Sequence, residues 1–170
     1  NQLNPTVLFD GSSDLLRTPN NMPGISSQFS GFVVIKKSTT AINQNIIAYQ
    51  KNDWGQLWSY GEASGSNNFT IYSQTPASWN WNYDGTHPIT TETQGLSAVW
   101  SNTGNLTYYA NGATAGIYTD NNTVTSVSNN SRIMVGSRGV SGSESSFSRY
   151  FGGEIAEVIY YNRALTSLEQ

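Results

Sequence analysis

Short apolar runs separated by polar, turn-forming clusters dominate the chain. Runs of β-branched and aromatic residues alternate with clusters of Gly, Asn, Ser, Asp and Thr roughly every 8–15 residues, the pattern of an antiparallel sandwich. Helical periodicity is nearly absent. The pattern predicts strands over residues 6–9, 15–18, 29–37, 45–50, 56–61, 68–73, 79–83, 92–100, 106–110, 113–118, 132–135 and 151–162. Asn111-Gly112 marks a tight hairpin between two of them, since both residues tolerate the positive φ that a two-residue type I′ turn requires. Residues 102–105 read as a second hairpin loop feeding the same ladder, so three consecutive antiparallel strands are expected. Residues 136–149 show no periodicity and are expected to form a long surface loop, a kind of segment that often carries function. One helix start is visible: Thr166 as N-cap with Glu169 three residues on, a capping box one turn from the last residue. No repeat or linker composition divides the chain, and residues 1–170 read as a single all-β domain cut from a larger protein.

Composition narrows the function. Only 11% of the 170 residues are charged, with 8 Lys and Arg against 11 Asp and Glu, while 12% are aromatic. A bundle of helices with charged faces is excluded, and so is disorder, which needs weak hydrophobicity and strong self-repulsion. Three lysines (Lys36, Lys37, Lys51) and five scattered arginines make no basic stripe, which excludes nucleic acid as a partner. The longest apolar strings, such as Phe32-Val33-Val34-Ile35, fall far short of the roughly 18–20 residues of a helical membrane span, so no membrane insertion is expected. Zero cysteines remove thiol catalysis, disulfides and thiolate metal sites.

Three segments together resemble the laminin-G-like branch of the concanavalin A-like lectin/glucanase superfamily. Val7-Leu8-Phe9-Asp10-Gly11-Ser12-Ser13-Asp14-Leu15-Leu16 is similar to the family's opening strand, FDG turn and second strand, and residues 29–37 to its first long central strand. Gly95-Leu96-Ser97-Ala98-Val99-Trp100 followed by Leu106-Thr107-Tyr108-Tyr109-Ala110-Asn111-Gly112 resembles its hairpin pair. Phe151-Gly152-Gly153-Glu154-Ile155-Ala156-Glu157-Val158-Ile159-Tyr160-Tyr161-Asn162-Arg163-Ala164-Leu165-Thr166 is close to its closing strand, except that Ala156 stands where the family usually has Asp. The resemblance implies a jelly-roll sandwich of two curved antiparallel sheets. It does not fix function, because members include lectins, adhesion modules, hydrolases and spacers.

Hydrolases of the superfamily carry two glutamates around an aspartate on one strand, facing one cleft. Retaining hydrolysis needs carboxyl groups about 5–5.5 Å apart. Glu154 and Glu157 are three residues apart, so only a bulge would bring them to one face and a regular strand points them to opposite ones. Glu157 then shares a face with Ile155, Ile159 and Tyr161 as a partly buried, paired carboxylate. His87, the single histidine, sits in a Thr86-His87-Pro88 segment that reads as a loop without a nucleophile elbow. No catalytic residue is assigned.

Ser78-Trp79-Asn80-Trp81-Asn82-Tyr83-Asp84 alternates aromatic and polar residues without a break. On an extended strand Trp79, Trp81 and Tyr83 form one face with rings roughly 6.6–6.8 Å apart. Such a face either fills the sandwich core, the reading given more weight, or stacks on the apolar faces of sugars. Trp54 lies in an Asn52–Gly55 turn and has the better claim to exposure. The candidate ligand-binding set is therefore Asp53, Trp54, Asp84 and His87, with Trp79, Trp81 and Tyr83 as stacking rings and Arg138, Glu144 and Arg149 from the long loop. Asp10, Asp14, Asp53, Asp84 and Asp120 offer oxygen ligands for Ca²⁺ but lack a recognisable spacing. Asp10 and Asp14 are read as turn and cap partners, and no cofactor is assigned.

The expectation is a non-catalytic carbohydrate-binding, lectin-like adhesion module of a bacterial surface or pilus protein. It would be extracellular, binding host-cell glycans or polysaccharides beside other domains of its parent. The alternatives are a protein-binding or structural spacer module and a glycan hydrolase or lyase.

Overall fold

A computed structural model describes residues 5–19, 28–41, 43–51, 54–60, 68–74, 79–88, 90–101, 105–119, 132–139 and 146–170. They form fourteen strands: β1 (Val7–Asp10), β2 (Leu16–Arg17), β3 (Phe29–Lys37), β4 (Gln44–Lys51), β5 (Trp54–Tyr60), β6 (Asn68–Gln74), β7 (Trp79–Pro88), β8 (Thr93–Trp100), β9 (Asn105–Ala110), β10 (Ala113–Thr119), β11 (Arg132–Val135), β12 (Arg138–Gly139), β13 (Phe147–Ser148) and β14 (Gly152–Tyr161). Eleven of the twelve expected strands agree with these within two residues at either end. The exception is the strand expected over 79–83, which runs on to Pro88.

Two six-stranded antiparallel sheets result. The first, sheet A, has the order β1-β14-β3-β8-β9-β10, and the second, sheet B, the order β2-β11-β4-β5-β6-β7. The chain is all-β, a concanavalin A-like jelly roll. β8, β9 and β10 form the expected consecutive antiparallel ladder. At its turn Asn111 (φ 50°) and Gly112 (φ 80°) both take the left-handed backbone, where glycine loses least.

Alternation builds the core. Phe29, Val33 and Ile35 of β3, Leu96, Ala98 and Trp100 of β8, and Leu106 and Tyr108 of β9 point inward from sheet A. They meet Ile46 and Ile47 of β4 and Phe69 and Ile71 of β6. An aromatic column crosses between the sheets: Phe29 stacks on Tyr160 (5.5 Å between centroids) and Tyr160 on Tyr49 (5.6 Å). Inward-facing Lys37 is also buried; its Nζ donates to Ala41 O (2.9 Å) and to Gln44 Oε1 and lies 5.6 Å from the Phe151 ring. Burial lowers its ammonium to about 8, because a buried cation is destabilised relative to the amine.

Asp10 behaves as the turn residue expected. Its carboxylate accepts the main-chain N–H groups of Ser12, Ser13 and Asp14 at 2.8–3.0 Å and both serine hydroxyls at 2.7 Å. Those bonds hold it well below the usual carboxylate range. At residues 166–169 half of the capping box forms: Thr166 N and Oγ1 donate to Glu169 Oε2 at 2.9 and 3.0 Å, while Glu169 N donates to Thr166 O (3.0 Å) and not to the threonine hydroxyl. It closes a turn rather than a helix, since nucleating the first helical turn is unfavourable by itself.

A ribbon over sheet B and the residues around it

Three expectations about the site are corrected by the backbone. β4 and β5 pair down to Lys51 and Trp54, so Trp54 begins a strand instead of sitting in a turn. β7 runs on through Thr86, His87 and Pro88 because Asn68 of β6 extends the ladder to Pro88. Proline is tolerated there since β7 is an edge strand. Residues 136–149 are not a structureless loop. β12 and β13 pair as a small ribbon, Arg138 with Ser148 and Gly139 with Phe147.

The ribbon exists for a packing reason. Met134 and Ala48 are buried, yet they form a cluster apart from the main core, covered by Phe147. They project from the face of sheet B turned away from the core, while Ile47 and Tyr49 on the same strand project inward. Apolar groups on an outward face need a cover, and Phe147 supplies it, with the Arg17 guanidinium 5.5 Å from its ring centroid. Main-chain bonds anchor the ribbon beside β4: Gly136 N to Ile46 O (2.9 Å), Asn45 N to Arg149 O (2.8 Å) and Phe151 N to Gly136 O (2.8 Å).

Register carries this outward face across the sheet. Met134 pairs with Ala48, Ala48 with Leu57, Leu57 with Tyr72 and Tyr72 with Trp81. A parallel row joins Asn45, Ser59, Thr70 and Tyr83. Between them runs the row Ile47, Trp58, Ile71 and Asn82, of which Ile47 and Ile71 are in the core. Trp81 and Tyr83 thus stand in the rows that begin at the ribbon, three strand spacings or roughly 14 Å from β4. Trp79 stands opposite Gln74. Asp84 and His87 follow on β7, and Asp53 and Glu144 lie outside the described residues.

Arg138 and Arg149 come together at the ribbon base, for Arg149 follows the register partner of Arg138. Both are half-buried, Arg149 takes φ 58°, and burial lowers its guanidinium from the usual value. Sequence reasoning missed Asn45 and Ser137. Neither exposes any surface, and the two amide atoms of Asn45 and the hydroxyl of Ser137 have no hydrogen-bond partner. The available signal was an asparagine ahead of Ile46-Ile47 within a strand, where asparagine is depleted.

The carboxylate pair needs a correction of another kind. Ile155 pairs with Ile35 and Glu157 with Val34, so Ala156 is an extra residue in a β-bulge. The bulge shifts the alternation. Glu154, opposite Lys36, and Glu157, opposite Val34, share the outward face of sheet A, whereas Ile155 is in the core. Glu157 is exposed, not partly buried and paired. Their register separates them by about 6.7 Å along the strand. Among the described residues no group of three or more His, Cys, Asp and Glu is placed to hold a metal ion.

The family profile Laminin_G_3, of the concanavalin A-like lectin/glucanases superfamily, matches residues 10–169. The chain belongs to this superfamily. A comparison with curated proteins finds no match. Among solved structures, domain 4 of AbnA, a GH43 extracellular arabinanase from Geobacillus stearothermophilus in complex with arabinotriose, superposes with a TM-score of 0.71 at 19% identity, covering 96% of this chain and 73% of that one. Ruminococcus gnavus IT-sialidase CBM40 bound to α2,3-sialyllactose gives 0.64 at 14% identity, covering 91% and 95%. The binding domain of botulinum neurotoxin DC in complex with rat synaptotagmin II gives 0.69 at 15% identity, covering 99% and 43%. These superfamily neighbours include carbohydrate-binding and other binding domains, and at such identities the likeness is one of fold.

Proposed function

We propose that this chain is a non-catalytic carbohydrate-binding module, one domain of an extracellular bacterial surface protein with an adhesive role. The glycan crosses the outward face of sheet B from β7 toward the ribbon, its apolar faces on Trp79, Trp81 and Tyr83 and its hydroxyls toward Asp84, His87 and, at the far end, Arg138 and Arg149 at the ribbon base. The observation that carries the reading is the register: the rows of Trp81 and Tyr83 are the outward rows that begin beneath the ribbon at Ala48 and Asn45. A face built this way offers stacking surface at one end and charged hydrogen-bond donors at the other. Arabinotriose and sialyllactose in the two carbohydrate-bound neighbours support the class of ligand. Asp53 and Glu144, outside the described residues, stay candidates for the same site, whereas Trp54 falls in register with the rows of Ile47 and Trp58 and not with those of Ala48 and Asn45. No cofactor is assigned.

The neurotoxin domain, bound to a protein, supports a second reading in which the same face docks a protein. A glycan array with and without Ca²⁺, paired with Trp81→Ala, separates them. The first reading expects binding that Trp81→Ala abolishes without lowering the melting temperature. No binding to any glycan would sink it, and a fall of roughly 3–5 kcal/mol in the stability of Trp81→Ala would return that ring to a core role.

A further inference from the structure

The outward face of sheet A holds a second, separate pocket. One register row crosses it: Ile159, Phe32, Ser97 and Tyr109 on β14, β3, β8 and β9. Phe32 and Tyr109 are two strands apart, about 10 Å, with Ser97 between them as floor. The resulting cavity of 280 Å³ is lined by Phe32, Ser97, Tyr109, Gly112, Ser167 and Gln170. None of these side chains carries a charge.

Its walls are fixed. Phe32 is held edge-on against Tyr161, 6.4 Å between centroids at 89°. The hairpin tip bearing Gly112 is pinned to β8 by two bonds, Asn111 N to Gly95 O (2.7 Å) and Gly95 N to Asn111 Oδ1 (2.8 Å). The opposite lip is the turn over residues 163–170. Ser30 Oγ, buried in the central strand, donates to Arg163 O (3.0 Å) and accepts from Leu165 N (2.8 Å). Arg163 grips Glu169 with two bonds at 2.8 and 2.9 Å, and Gln170 Nε2 donates to Leu165 O (3.2 Å). A pocket whose sides are already ordered loses little entropy on binding.

We infer that this pocket is a second binding site, for a single neutral pyranose residue, on the sheet opposite the site proposed above. A pyranose presents apolar C–H faces and a rim of hydroxyls. Two aromatic walls, two serine hydroxyls and an amide match that distribution, and the absence of a charged side chain in the lining favours a neutral sugar over an acidic one. The module would then hold saccharide on both faces.

Titration of the ¹⁵N-labelled protein with the methyl glycosides of glucose, galactose, mannose and N-acetylglucosamine, followed by amide shifts, tests this. At least one glycoside should shift the amides of Gly95, Ser97, Tyr109 and Gly112 with an affinity on the order of millimolar. Tyr109→Leu, which keeps apolar bulk but removes the flat ring, should weaken that response about tenfold. Ser97→Val, which fills the floor, should do the same, so the test does not rest on one variant. Both variants should leave any response along β7 unchanged. The inference is overturned if none of the four glycosides shifts those amides, or if the shifts survive both substitutions. A silent β7 with a responding sheet A would instead sink the site proposed on sheet B and leave this one standing.

Discussion

Replacing Asn45 with alanine should leave the protein as stable or make it more so. Asn45 is completely buried, and both polar atoms of its amide lack a partner, whereas its main-chain N–H is bonded to Arg149 O at 2.8 Å and survives the substitution. Burying an unpaired polar group costs about 1–3 kcal/mol, and alanine removes that cost. Against it stands the lost volume of the amide, roughly 25–30 Å³, worth about 0.7 kcal/mol at the usual cavity price. The balance is a gain of about 0–2 kcal/mol, or a melting temperature raised by up to about 6 °C in a chain of this size. Calorimetry at neutral pH measures it directly. Asn45→Asp is the control: a buried unpaired carboxylate should destabilise strongly. A loss of more than about 1 kcal/mol in Asn45→Ala would show that the amide is bonded in the folded state, and the reasoning that makes it an unmet group beneath the ribbon would fail.

Stability should also depend on pH through Lys37. Its folded value of about 8 lies below the usual 10.5, so between those values the unfolded chain binds more protons and stability rises with pH, by at most about 3 kcal/mol. Burial raises the Tyr49 and Tyr160 hydroxyls, so above about pH 10 the unfolded chain ionises first and stability falls. Denaturant titrations should place the maximum near pH 9–10, and Lys37→Met should remove the rising limb; a rise that persists in the variant would refute the assignment. Gly136→Ala should cost about 2–4 kcal/mol, because φ is +85° and the new Cβ would lie 2.4 Å from the Phe9 ring. A loss below about 1 kcal/mol would mean that the ribbon base is free to shift.

Local chemistry made much of the fold legible. Period-two alternation with β-branched and aromatic residues marked β3 and β11 to the residue. Asn111-Gly112 marked its hairpin and Asp10 its turn, because φ preferences and side-chain hydrogen bonds act within a few residues. The Glu169 half of the Thr166-to-Glu169 capping box formed for the same reason, although a helix did not.

What stayed hidden depends on neighbours distant in the chain. The bulge at Ala156 arises where β14 meets β3, and it moved Glu154 and Glu157 onto one face, against the alternation read along the strand. The β12–β13 ribbon forms because Met134 and Ala48, on different strands, require a cover that Phe147 provides. The rows of Trp81 and Tyr83 follow from four strands in register, and Trp81 carries no local sign of its row. The amino-acid order alone determined which segments are strands and where they turn, since those preferences are local. Only the tertiary structure decided which residues share a surface, because a one-residue shift in any ladder moves every side chain of the strand to the other face.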